Sequence, residues 1–336
     1  MGKWSSCKIN AYNVLSTQIT NFFQKLNNSP SQEVIHAAAL KQKVSLFFKR
    51  DDLLHPIVSG NKARKLKYNL LQANQLGKSN IVTVGGAFSN HLLATAFAAH
   101  QCGFTSKAYV RGEASSAQNP TLSACAKFGM QLEFVSRTFF RNEKDNISIE
   151  ERDYFVPEGG SSRLACEGVA EVIDEIQNDT NHLQPNYIIC ACGTSSTYSG
   201  LVLGADKFGL DAEVIGVPVL KGNFHRDTIL QNHQEWGINL HRAPKLWEGF
   251  HGGGYAKADK KLIDFINQFR LETGIPLDPI YTGKLVFAVF EMMQNNFFQE
   301  GDRILIYHSG GLQGIDGWNL RYRDQPDLII QNELRL

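Results

Sequence analysis

Neither sign of charge is in excess in this sequence: 34 lysines and arginines face 33 aspartates and glutamates, a formal net charge of +1 over 336 residues. Gripping a phosphate backbone needs a basic surplus, so no nucleic-acid partner is expected. A hydrophobic content of 43% against 20% charged residues equally excludes an acidic, disordered chain. Long apolar runs are missing too. None approaches the roughly 18 residues of a membrane span, and the N-terminus lacks an apolar stretch leading into a small-residue cleavage site. No membrane partner and no export are expected. Cysteine is scarce: Cys7, Cys102, Cys125, Cys166, Cys190 and Cys192 are too few for a disulfide scaffold, and none forms the C-x-x-C spacing of a zinc site. Reduced thiols in a cytoplasmic protein without a metal fit best. What remains as the default partner is a small molecule.

The chain is long enough for a large core and, by its length, for two domains. Met1-Gly2-Lys3-Trp4-Ser5-Ser6 formally matches the myristoylation pattern, with Cys7 as a second acylation site. The pattern is short and common by chance, and a single acyl chain anchors only marginally, so a disordered start is the plainer reading.

Short apolar, β-branched or aromatic runs recur, each followed by turn residues and a segment of helical spacing. They are Val44 to Phe48, Ile81 to Val84, Lys107 to Val110, Leu132 to Val135, Tyr187 to Cys190, Val214 to Val219 and Arg303 to Tyr307. This alternation predicts an α/β fold of βαβ units around parallel sheets, and continuously apolar strands such as Tyr187-Ile188-Ile189-Cys190 predict helices on both faces. No solenoid-length repeat, low-complexity tract or long Pro/Gly/Ser linker interrupts the chain. Joints are expected at Asp51 to Pro56 and Pro157 to Ser162. They predict a small domain over 55–165 inserted into a large one formed by 1–54 and 166–336, with the catalytic cleft between them.

Three glycine-containing loops follow predicted strands, where ligands meet the N–H groups of helix N-termini. Gly85-Gly86-Ala87-Phe88-Ser89-Asn90-His91 is suited to hold a carboxylate, although Ser89 or Asn90 could equally do no more than cap the helix. Cys192-Gly193-Thr194-Ser195-Ser196-Thr197-Tyr198-Ser199-Gly200 sets four consecutive hydroxyl residues before an apolar helix, a donor nest whose natural guest is phosphate, although such a turn can also be purely structural. It is neither a Walker loop nor a G-x-G-x-x-G. His308-Ser309-Gly310-Gly311 says little more than strand end and turn.

Lys62 stands apart among the lysines, because Ser59-Gly60-Asn61 turns into a helix at that point. The positive end of the helix dipole repels an ammonium there, which favours the neutral amine that condenses with an aldehyde. Lys65 and Lys67 read instead as solvated charges. A phosphate nest, a carboxylate-holding helix start and a nucleophilic lysine together point to pyridoxal phosphate acting on an amino acid.

Ser59 to Leu66, Gly85 to His91, Gly193 to Thr197, Leu277-Asp278-Pro279-Ile280-Tyr281-Thr282-Gly283-Lys284 and His308 to Gly311, in that order, resemble the motifs of one family. It is the 1-aminocyclopropane-1-carboxylate deaminase and D-cysteine desulfhydrase family, of the tryptophan synthase β-subunit fold type. The likeness runs from about residue 45 to 315. It implies Lys62 as the lysine that carries the cofactor, Asn90 beside its phenolic oxygen, and Ser89 with the amides of Asn90 and His91 at the substrate carboxylate. It further implies Gly193, Thr194, Ser195, Ser196 and Thr197 around the phosphate, Tyr281 against the ring with Tyr255 as a second tyrosine facing substrate, Thr282 and Ser309 near the pyridine nitrogen, and a homodimer. Either tyrosine could instead be a plain core aromatic.

Two departures bear on the transfer. Phe88 stands where the family usually has glutamine, and Ser195 where it usually has a second glycine, a position at which serine resists backbone angles that glycine accepts. Ring-opening members generally have glutamate at the position of Thr282 and leucine at that of Ser309. Neutral hydroxyls there leave a weaker electron sink, which hampers ring opening more than β-elimination of a good leaving group. The expected activity is therefore D-cysteine desulfhydrase-like elimination giving pyruvate, ammonia and sulfide. The alternatives are the deaminase, a serine dehydratase-like or sulfonate-eliminating enzyme, a pyridoxal-phosphate binder without turnover, and a nucleotide binder, for which no base pocket is visible.

Overall fold

The computed structural model describes residues 15–113, 119–144, 147–179, 183–238 and 243–331. The acylation pattern at Gly2 and Cys7 lies outside the described residues. In chain order the strands are β1 (Ser31–Glu33), β2 (Ser45–Arg50), β3 (Asn80–Gly86), β4 (Thr105–Arg111), β5 (Met130–Val135), β6 (Asp153–Val156), β7 (Tyr187–Cys192), β8 (Glu213–Pro218), β9 (Lys245–Leu246) and β10 (Arg303–His308). Residues 15–24 are helical, here α1. Then come α2 (Ala37–Gln42), α3 (Asn61–Gln75), α4 (Asn90–Gln101), α5 (Pro120–Lys127), α6 (Arg137–Glu143), α7 (Arg163–Gln177), α8 (Ser196–Phe208), α9 (His225–Trp236), α10 (Lys260–Thr273), α11 (Thr282–Gln294) and α12 (Gly314–Arg321). Every strand expected from the sequence is present. β1, β6 and β9, all four residues or shorter, are additions.

The chain forms two compact units. One spans Leu54–Gly168 together with the described residues up to Asn27; the other holds Asn28–Leu53 and the chain from Val169 onwards, so the second boundary falls inside α7. Residues 15–27 thus join the unit built around 55–165 rather than the large domain expected to contain them. The reason is apolar burial: Ile19 is fully buried among Leu66, Leu70, Ala98 and Cys102, with Leu15, Phe22 and Phe23 packed on the same cluster.

The first unit carries a four-stranded parallel sheet of order β5-β4-β3-β6. The chain steps outward from β3 to β4 and β5, then returns to β3's other side as β6. The strand order therefore reverses at β3, and the carboxyl end of a strand at such a switch point is where α/β proteins place ligands. Helix α7 lies close on α3: a Cβ added at Gly168 would stand 2.0 Å from the carbonyl oxygen of Arg64.

The second unit carries a six-stranded sheet of order β1-β2-β10-β7-β8-β9, parallel except for the β1–β2 pair. Apolar side chains are buried on both faces. Phe48, Ile189, Ile215, Ile304 and Ile306 point into one cluster, Ile188, Cys190, Leu305 and Tyr307 into the other. The alternation along β7 and β10 sends successive residues to opposite clusters, as the pleat requires. Because β10 pairs with β7, the loops after Cys192 and after His308 leave from neighbouring strand ends.

Candidate active site

In the first unit, Gly60 adopts φ 63° and ψ −145°, a backbone conformation open to glycine, and turns the chain into α3. Lys62 then falls in the helix's first turn, half-buried, with Nζ donating to Asn61 Oδ1 at 3.0 Å. Its amine is held well below the usual lysine value, first by burial and second by the neighbouring Lys65 charge. The low proton affinity expected of Lys62 thus has causes other than the helix dipole invoked for it. Lys65 is not the solvated charge expected: it is buried, at 2% exposure.

Ser89, Asn90 and His91 open α4 at the carboxyl end of β3. Ser89 is the N-cap, its hydroxyl accepting from Leu92 N at 3.4 Å. The capping role weighed against a binding role for Ser89 is therefore present in the fold. Asn90 Oδ1 is buried with no hydrogen-bond partner. The imidazole of His91 is turned to its own scaffold, with Nε2 2.7 Å from Thr83 Oγ1 and Nδ1 3.4 Å from Thr95 Oγ1. Since the Thr83 hydroxyl donates to Val156 O at 2.7 Å, its oxygen accepts from Nε2–H. Burial, followed by the charges of Lys62 and Lys65, keeps this imidazole neutral, well below its usual pKa. Only the backbone N–H of His91 is then suited to the carboxylate role. Phe88, 43% exposed, stands beside Ser89 in the same loop, which Asn119 Nδ2 ties at Ala87 O over 3.0 Å.

In the second unit, α8 begins at Ser196, so Ser196 and Thr197 stand in its first turn rather than ahead of it. Ser195 is the N-cap, at φ 64° and ψ −24°. Thr194 Oγ1 lies 3.4 Å from Ser196 Oγ. Gly193 adjoins an aromatic ring: a Cβ there would stand 3.3 Å from Tyr281 Cε1. Tyr255 and Tyr281 meet edge to face, centroids 6.3 Å apart. Ser309, half-buried, follows β10 directly. The second unit thus draws Gly193, Tyr255 and Tyr281 together at the strand ends where Ser309 also leaves the sheet.

Thr282 has a different occupation from the one expected. It is buried, and its hydroxyl donates to Asp278 Oδ1 at 2.7 Å while accepting from Asp278 N at 2.8 Å. A hydroxyl has one proton to give, and this one is committed to Asp278 rather than to a cofactor nitrogen. The Asp278 carboxylate also accepts from the N–H groups of Ile280, Tyr281 and Thr282 at 2.8–2.9 Å, fixing the turn that presents Tyr281. Asp278 and Lys284 carried no expectation of their own, although both lie in the quoted motif. The signal for Asp278 was an acidic residue four positions before the hydroxyl that opens a helix.

These residues suit pyridoxal phosphate. A lysine amine of low proton affinity, a buried amide oxygen at Asn90 that lacks a donor, and a hydroxyl-rich helix start after a buried strand match the aldehyde, phenolic hydroxyl and phosphate of that group in chemical type.

Residues 28–310 match the family of pyridoxal-phosphate-dependent enzymes. The chain is 28% identical over 299 residues to the bifunctional D-cysteine desulfhydrase/1-aminocyclopropane-1-carboxylate deaminase, mitochondrial, of Arabidopsis thaliana, an alignment covering 82% of this chain and 74% of that protein. It is 27% identical over 319 residues to the D-cysteine desulfhydrase of Yersinia pestis, covering 87% and 97%. Among solved structures, an ACC deaminase homologue superposes with a TM-score of 0.76 at 25% identity, covering 92% of this chain and 98% of that one.

Proposed function

The chain belongs to the pyridoxal-phosphate-dependent enzyme family, and from that membership we propose that it is an amino-acid lyase that eliminates the β-substituent of a substrate such as D-cysteine. One observation carries the reading: Lys62, at the glycine-capped start of α3, holds an amine of depressed proton affinity. Such an amine is free to carry the cofactor and then to remove the Cα proton of the substrate.

Bound pyridoxal phosphate supplies an electron sink for negative charge at Cα. The chain's own residues do the rest. The Ser89 hydroxyl and the N–H groups of Asn90 and His91 orient the substrate carboxylate at the start of α4. With the cofactor bound, the Asn90 side chain would hold the phenolic group, the N–H groups around Gly193 to Thr197 would hold the phosphate, Tyr281 would support the ring and Tyr255 would serve the substrate. Ser309 is the hydroxyl offered to the pyridine nitrogen, and Thr282 supports Asp278 instead. As the Cα proton passes to Lys62, the Cβ–S bond breaks and the thiolate leaves with its electron pair. Water then converts the unsaturated amine to pyruvate and ammonia.

The preference for elimination over ring opening is supported by the absence of a carboxylate at position 282 and by the Asp278 carboxylate being engaged by four donors. A cytoplasmic homodimer completes the proposal. Five buried cysteines without a disulfide among the described residues suit a reducing compartment, and light scattering of the purified protein tests the dimer.

The decisive experiment incubates the purified protein with D- and L-cysteine, β-chloro-D-alanine, D- and L-serine and 1-aminocyclopropane-1-carboxylate, and measures pyruvate, sulfide and 2-oxobutanoate. Pyruvate with stoichiometric sulfide from D-cysteine is expected. Efficient 2-oxobutanoate formation without sulfide would overturn the reading in favour of the deaminase, and no product from any substrate would leave a binder without turnover. Borohydride reduction and peptide mapping should place the pyridoxyl group on Lys62.

A further inference from the structure

We propose that Asn232, on α9, is a positioning residue for the phosphate loop, holding the Ser195 hydroxyl and so keeping a non-glycine residue in the left-handed conformation that shapes the loop. The inference rests on the proposed assignment of Gly193 to Thr197 to the cofactor phosphate. Ser195 stands at φ 64°, a region that L-residues with a Cβ avoid. Something must hold it there. The amide Nδ2 of Asn232 donates to Ser195 Oγ at 2.7 Å, across 37 residues of sequence.

The direction of that bond is as telling as its length. A serine at a helix N-cap ordinarily turns its hydroxyl back to accept from an N–H group of the first turn. Ser195 makes no such capping bond. Its oxygen is drawn to Asn232 and does not compete as an acceptor at the start of α8, where an anion is to be held. Asn232 is itself anchored. The next residue, His233, sets Nε2 2.6 Å from Ser199 Oγ on α8, and burial pushes its pKa down to about 4, so the contact is made by a neutral imidazole. Two successive residues of α9 are therefore stitched to the start of α8, one at the N-cap and one a turn further on.

Glycine at 195 would adopt the left-handed conformation without help, so Asn232 is needed only while residue 195 carries a Cβ. The test is a set of apo-protein titrations with pyridoxal phosphate and, separately, with pyridoxal, which lacks the phosphate, on wild type, N232A, S195A, S195G and N232A/S195G. Thermal melts of each apo-protein accompany them. N232A and S195A should each weaken pyridoxal phosphate binding, roughly tenfold for a lost hydrogen bond with backbone strain left in place. S195G should bind at least as well as wild type, and adding N232A to it should cost less than about twofold. Pyridoxal should bind all five proteins alike.

An equal loss from N232A on the serine and glycine backgrounds would overturn the proposal, as would equal losses for both ligands, which mark a general structural role. Wild type that favours pyridoxal phosphate over pyridoxal, with N232A unchanged, would sink the role of Asn232 alone. Wild type that binds both ligands equally would sink the phosphate assignment and this proposal with it. If N232A does not fold, the comparison of S195A with S195G still decides whether the strain is real.

Discussion

Lys284 reaches from the first turn of α11 to donate a 2.8 Å hydrogen bond from Nζ to the carbonyl oxygen of Gly254, the residue before Tyr255. Lys284 is 1% exposed, and its Cε would lie 3.3 Å from a Cβ placed on Gly252. One buried ammonium thus braces the glycine run that carries Tyr255 to the edge of the Tyr281 ring. Lys284→Met should keep cofactor binding within about twofold yet lower kcat/KM roughly tenfold, the scale of one charge-assisted hydrogen bond. Steady-state kinetics beside a cofactor titration checks this; unchanged kinetics would mean that the brace is irrelevant to Tyr255.

The same lysine makes a pH prediction. Burial lowers its pKa to about 8 from the ordinary 10.5, against a smaller upward pull from Asp278. Between those values the unfolded chain binds a proton that the folded chain does not, so stability rises with pH across that window. Its contribution is complete above the unfolded value and falls away as pH drops through about 8. At neutral pH the wild type should carry a penalty on the order of 3 kcal/mol that Lys284→Met lacks. Urea melts of the apo-protein at pH 7 and pH 10 should show the difference between variant and wild type shifting in favour of the wild type at the higher pH.

Thr282→Val removes a hydroxyl that both donates to and accepts from Asp278. Two buried polar groups lose a partner, which predicts a loss of about 1–3 kcal/mol and a fall in Tm of several degrees, whereas Thr282→Ser should recover most of it. An unaltered Tm for the valine variant would return Thr282 to the ligand-facing role first expected of it.

Gly168→Ala would place a methyl group 2.0 Å from the Arg64 carbonyl oxygen, so α7 and α3 must separate. Overpacking of this kind predicts a destabilisation of about 3 kcal/mol or more. Because α3 also carries Lys62 in its first turn, cofactor retention on dialysis should fall with it. Retention like that of the wild type would show that α3 holds its place without α7.

Much of this was legible from local pattern. The long parallel strands announced themselves by apolar, β-branched runs, and the Gly60-Asn61 turn placed Lys62 at a helix start. β6 escaped notice because Asp153–Val156 offers four residues, two of them half-buried aromatics, and no alternation long enough to count. The cause of the low Lys62 proton affinity was out of reach, because burial and the inward position of Lys65 are products of packing. Ser195 was visible as a departure from glycine, but its remedy was not: Asn232 sits in a different helix and no spacing rule links the two. Thr282 misled because a hydroxyl next to a motif tyrosine looks the same in sequence whether it faces a ligand or an aspartate.

The place of β10 in its sheet bears on how the protein comes off the ribosome. Ser45 pairs with Arg303 and Tyr187 with Ile304, so the strand joining β2 to β7 is the last to be made of the ten among the described residues. The first unit has all four strands of its described sheet once Val156 has emerged. The second must wait with β2 and β7 unjoined and an edge of each strand unpaired, an open-edged intermediate of the kind that aggregates or recruits chaperones. Nascent chains stalled near residue 300 should therefore protect the Leu54–Gly168 unit from protease while leaving β2 and β7 open to cleavage.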